Sequence, residues 1–133
     1  MAVSHLPLLG PDGTPSTLAP ISAATVVGDL VVVSGQAAVD LATGAVVGAT
    51  VQEQAEVVLE QLVAVLARAG ATPADVLRAE CFLARAEDFA AFNAVYARWF
   101  PPPSPARTTV VCGFAIPGML VEVQALAVRS GGT

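Results

Sequence analysis

Arg107 and Glu122 are the two residues of this 133-residue chain best placed to do chemistry. Each stands inside an otherwise apolar, strand-like run, PARTTVVCGFA (105–115) and MLVEVQALAV (119–128), with a short Ile-Pro-Gly turn at 116–118 between the two. A cation and a carboxylate in such runs are costly to bury unless they are paired or used. The turn predicts that the runs are neighbours. Together the two side chains could clamp a small anion with the arginine and handle water or a proton with the glutamate. An ordinary buried or edge salt bridge is the other reading of the same pair, and position alone leaves both open.

The remaining catalytic inventory is thin. All six basic side chains are arginines, so Schiff-base chemistry by a lysine and a Walker-type phosphate loop are excluded. The single histidine, His5, falls in an N-terminal stretch expected to be mobile, a poor place for a Ser/His/Asp or Cys/His site. Cys81 and Cys112 lie in apolar runs and read as small core residues of a reducing, cytoplasmic compartment, a disulfide or metal site being the lesser alternative. A net charge of −5, with scattered arginines, argues against nucleic acid. No apolar run reaches membrane-spanning length, and no basic residue precedes the first apolar residues as in a signal peptide.

Several elements must position the pair. Residues 1–18 read as an irregular arm with a short strand around Leu8, and residues 19–130 as one domain. Gly28-Asp29 between ATVV (24–27) and LVVVSGQAAV (30–39) predicts a hairpin, and Gly44 suits a second turn at 40–48. Thr50 as N-cap with Glu53 opens a helix whose apolar face is Ala55, Val58, Leu59, Leu62, Val65 and Leu66, and Gly70 closes it. TPADV (72–76) is a capped single turn and LRAECFLA (77–84) a strand, where Glu80 reads as a solvent-facing edge residue. A second helix, about 87–100, carries Phe89, Phe92, Tyr96 and Trp99 or Phe100 as a core stripe and stops at Pro101–Pro103. This order predicts an α+β domain with both helices on one face of a mixed sheet. With 55% hydrophobic residues, the uncovered face is expected to bury against further copies of the chain.

Laid out in this way, the chain resembles the reactive intermediate deaminase (Rid, or YjgF) family. The resemblance is carried by APISAA (19–24), GDLVVVSGQAAVDLATGAVVG (28–48), VQEQAEVVLEQLVAVLARAG (51–70), DVLRAECFLARAEDFAAFNAVYARWF (75–100), PARTTVV (105–111) and GMLVEVQALAV (118–128). It implies a homotrimer of chorismate-mutase-like fold with clefts between subunits. It also implies hydrolysis of reactive enamines and imines, such as 2-aminoacrylate and 2-iminopropanoate, to 2-oxo acids and ammonia, without metal or organic cofactor. By motif match, Arg107 would hold the substrate carboxylate, Glu122 would position water, and Ser34, Gly35 and Asn93 would line the cleft. Ser34 also reads as a strand-end hydroxyl satisfying backbone, and Asn93 as a bridge to backbone groups.

The chain departs from the family pattern at several cleft positions. Ile21 stands where many members carry tyrosine, Thr109 where cysteine is common, and Val111 where a glutamate follows; Ile116-Pro117 replaces a proline and basic residue. These changes imply a more apolar cleft and a different or bulkier imine, including one from a specialised biosynthetic pathway. The alternative is a non-catalytic trimer that binds a small carboxylate. Ribonuclease activity, also known in the family, fits poorly with an acidic chain that lacks a histidine pair.

Overall fold

The computed structural model describes residues 2–130, so Met1 of the arm lies outside the described residues. The elements are β1 (Ser4–Pro7), β2 (Ser22–Val27), β3 (Leu30–Ala37), α1 (Val51–Arg68), β4 (Val76–Leu83), α2 (Phe89–Trp99), β5 (Ala106–Val111) and β6 (Val121–Val128), with single 3-10 turns at Pro73–Asp75 and Ala86–Asp88. They form a six-stranded sheet in the order β1-β2-β3-β6-β4-β5. The β4–β5 pair is parallel and the others are antiparallel.

Local chemistry accounts for most boundaries. Gly28, at φ 58, turns β2 into β3, and Gly44 adopts φ 79 in the next turn. Thr50 Oγ1 accepts the Glu53 N–H at 3.2 Å and so caps α1, while Gly70 leaves it at φ 83. The predicted apolar face of α1 is buried throughout. Around α2 the stripe divides. Phe92, Tyr96 and Phe100 are buried, but Phe89 is 47% exposed at the start of the helix. Trp99 stays at the rim, where its Nε1 donates to Glu56 Oε2 of α1 at 3.1 Å. The arm is less irregular than expected: Ser4–Pro7 pairs with β2 just ahead of Leu8, and His5 stands exposed on that edge strand rather than in a mobile tail.

The expected neighbours β5 and β6 are not neighbours. β4 lies between them, with Glu80 opposite Thr108 of β5 on one side and Gln124 of β6 on the other. An apolar strand buried in mid-sheet has two edges of N–H and C=O groups to satisfy. β5 serves one edge in parallel, and Cys112 N–H continues that ladder to Leu83 O at 2.9 Å. The chain then crosses back through the Ile116–Gly118 turn to serve the other. Glu80 is accordingly an interior-strand residue and not an edge one.

Both helices cover one face of the sheet. Val31, Val33, Ala79, Cys81, Leu83, Val121, Val123 and Ala125 point into the core formed with Leu59, Leu62, Leu66 and Phe92. The other face is uncovered in the single chain. Leu30, Val32, Leu126 and Val128 lie there at 39%, 40%, 37% and 41% exposure. A polar ladder interrupts them, in which Gln124 Nε2 donates to Glu80 Oε2 at 3.1 Å and Arg78 Nη2 to Thr108 Oγ1 at 2.9 Å.

Candidate active site

Strand register decides which candidate residues meet. Arg107 pairs with Ala79 and Thr109 with Cys81, both core-facing residues of β4. Directly opposed residues share a face, so Arg107 and Thr109 point to the helix side, at the β5 edge of the sheet. Glu122 pairs with Phe82 and Ala37 and alternates with the buried Val121 and Val123, so it points to the uncovered face. The two residues on which the sequence reading centred therefore lie on opposite faces of one sheet, with β4 between their strands. No ion pair joins them among the described residues. The salt-bridge reading fails, and so does a clamp made by both within one chain.

On the helix side, Arg107 is held by α2. Its Nη2 donates to Asn93 Oδ1 at 2.6 Å. Its guanidinium carbon lies 4.7 Å from the Tyr96 ring centroid, 5.5 Å from Phe92 and 5.7 Å from Phe89. Three ring faces hold the cation without neutralising it. With no carboxylate partner among the described residues, its other N–H groups remain free for a planar anion. Asn93 thus orients the arginine through its side chain. Tyr96 Oη is buried nearby without a hydrogen-bond partner. Burial pushes the Cys81 thiol up to about 12, against the opposing pull of the Arg107 charge. It is a neutral core thiol and no nucleophile. Both cysteines are free, Cys112 only half-buried.

On the uncovered face, Glu122 lies against Gly35, while Ser34 and Ile21 line a depression whose lining residues do not include Glu122. Burial raises the Glu122 carboxyl above its ordinary range. Ser34 Oγ donates to Ser22 O at 2.6 Å, so its proton is engaged with backbone and only its lone pairs are left to a ligand. Ile21, 51% exposed, and Ser34 line an open depression of about 420 Å³ whose floor includes Glu80 and Gln124. Ser34 and Gly35 together oppose Gln124, forming a bulge in β3 between Val33 and Gln36. Such bulges re-aim side chains beside functional sites.

Two supports went unrecognised in the sequence. Gln54, 1% exposed, donates to Gly48 O and Gly118 O at 3.1 and 2.9 Å and accepts the Leu120 N–H at 2.8 Å. It staples α1 to the loop that launches Glu122's strand. Its signal was present: position 54 follows Val51 by three and precedes Val58 by four, on the apolar face. The aromatic cage is the other: by spacing, Phe89, Phe92 and Tyr96 read as a core stripe, and the arginine they surround comes from a later strand.

Comparison with known proteins agrees with this architecture. The family profile described as Endoribonuclease L-PSP matches residues 12–129. A RutC family protein of Saccharolobus solfataricus is 38% identical over 116 residues, covering 87% of this chain and 92% of that protein. Protein DfrA of Myxococcus xanthus is 41% identical over 119 residues, covering 88% and 91%. The crystal structure of the Rid-family protein YyfA from Yersinia pestis superposes with a TM-score of 0.83 at 29% identity, covering 96% of this chain and 99% of that one. The mixed α+β fold, with one six-stranded sheet and two helices, is the one these relatives share, and the chain belongs to the Rid/YjgF family.

Proposed function

We propose that the protein hydrolyses reactive enamine and imine intermediates of the 2-aminoacrylate/2-iminopropanoate type to 2-oxo acids and ammonia. It does so as a homotrimer, at sites that each join the Arg107 half of one copy to the Glu122 half of another. One observation carries the reading: each chain holds two half-sites on opposite faces of its sheet, a caged guanidinium without a carboxylate partner and a desolvated carboxylate. Neither half suffices for hydrolysis. The exposed Val32, Leu126 and Val128, farther along the same uncovered face, supply apolar surface for a neighbouring copy to cover.

The chemistry needs little else. Arg107 binds the substrate carboxylate, which orients the planar imine. Glu122 takes a proton from water as the water oxygen bonds to the imine carbon and the nitrogen gains a proton. The resulting carbinolamine loses ammonia when the C–N bond breaks, and the hydroxyl proton leaves to give the 2-oxo acid. Burial raises the Glu122 pKa, which makes its carboxylate a stronger base for accepting that proton than an exposed one. Ile21 and Val111 make the cleft edges less polar than in many relatives, and Thr109 puts a hydroxyl where a thiol is common, which favours a different or bulkier imine, including a biosynthetic one.

The test is release of ammonia and 2-oxo acid from 2-iminopropanoate and a panel of alkyl and aromatic 2-imino acids generated in situ. Acceleration over the uncatalysed rate supports the reading. Uncatalysed rates across the panel, with 2-oxo acid binding that depends on Arg107, would support the alternative of a trimeric carboxylate-binding module. That alternative rests on Arg107, whose cage is complete without Glu122. An endoribonuclease activity fits this chain poorly, because the chain is acidic and its one histidine stands on β1.

A further inference from the structure

The glycine in the β3 bulge is required by its neighbour and not by its own backbone. Six described glycines adopt positive φ, and Gly35 is not one of them, so any L-residue could take its conformation. A Cβ at Gly35, however, would fall 2.9 Å from Glu122 Cδ and 3.2 Å from Cγ, and nearer still to Oε2. These separations lie well inside the 3.5–4.0 Å of ordinary carbon contact. The Glu122 carboxylate lies across the bare Cα, and no ion pair within the chain restrains it among the described residues.

We infer that Gly35 is a positioning residue: its bare Cα in the bulge is the seat that holds the Glu122 carboxylate down against the sheet, and so fixes where that carboxylate meets water. The inference rests on the hydrolytic reading of Glu122. The seat also preserves the desolvation of the carboxyl. From β3 no titratable side chain faces it: Ser34 and Gln36 flank Gly35, Gln36 is turned into the core opposite Val123, and Ala37 follows. From β4 the charged groups on the same face are Glu80 and its partner Arg78, and on β6 the next residue on that face is the neutral Gln124. Burial alone raises the carboxyl.

The experiment compares Gly35→Ala with Gly35→Ala/Glu122→Asp, each against its own parent, by kcat and KM and by a carbon-13 NMR titration of the position-122 carboxyl. In Gly35→Ala, the methyl should push the carboxylate outward and lower kcat by roughly ten- to a hundredfold, the scale of an ångström-sized misplacement. KM should change little, and the carboxyl should titrate closer to its ordinary range. Against the shorter aspartate, the same methyl should cost much less. Equal losses in both backgrounds, or an unchanged kcat and titration, would overturn the seat. If Gly35→Ala fails to fold, a folded double variant supports the seat and an unfolded one overturns it. If the parent hydrolyses no imine while the titration still moves in Gly35→Ala, the seat stands and the hydrolytic reading falls.

Discussion

At the scale of single residues, the proposed function gives Arg107 and Glu122 different work, so their variants should fail differently. Arg107→Lys keeps a charge but loses the flat fork, so kcat/KM should fall substantially while folding persists; Arg107→Ala with unchanged turnover would remove the clamp. Glu122→Gln should lower kcat by about 10²-fold while 2-oxo acid binding survives, the scale expected for a general acid–base group. The same variant makes a stability prediction of definite sign. Burial raises the Glu122 pKa, so the folded state binds this proton more tightly than the unfolded one. The contribution is fully present below the unfolded pKa and is lost as pH rises through the folded pKa. Above the folded pKa the ionised Glu122 therefore opposes folding, and Glu122→Gln should hold or raise Tm there while leaving it nearly unchanged below the unfolded pKa. A large drop in Tm at neutral pH would mean that the carboxylate has a structural partner. Both residues could be found from sequence because charges inside apolar strands are conspicuous. Their opposite facing could not be read from β5, whose ARTTVV has no alternation to indicate which side Arg107 takes.

At the scale of elements, Gln54 joins the helix layer to the strand that carries Glu122. Gln54→Ala leaves the Leu120 N–H and the Gly48 and Gly118 carbonyls without their partner, which should cost about 3 kcal/mol or more. Denaturant unfolding measures this, and a change under 1 kcal/mol would show that water replaces the amide without loss. The local signals had succeeded where one residue decides an outcome: Gly28 in the hairpin, Thr50 and Gly70 at the ends of α1, Pro101 after α2. They failed for β5 and β6, where Ile116-Pro117-Gly118 imitates a hairpin turn. Which strand pairs with β4 depends on contacts far apart in the chain, and no local turn chemistry encodes that choice. Gly35 shows the same limit, because the carboxylate that requires it comes from a strand 87 positions later in the chain, at Glu122.

For the whole molecule, the uncovered sheet face and the divided site point to one arrangement of copies. Light scattering should give the mass of a trimer, and Leu126→Glu, which puts a charge among Val32, Leu30 and Val128, should shift the protein toward monomer and abolish turnover with it. A fully active monomer would refute the arrangement. The central claim is tested most directly by complementation. Arg107→Ala and Glu122→Gln chains, each inactive alone, are co-expressed so that mixed trimers form, and imine hydrolysis is measured per site. Random pairing of halves from two copies should restore about one quarter of the parent activity, because one interface in four joins an intact Arg107 to an intact Glu122. Mixed trimers no more active than either variant alone would mean that each site is built within a single chain, contradicting the account.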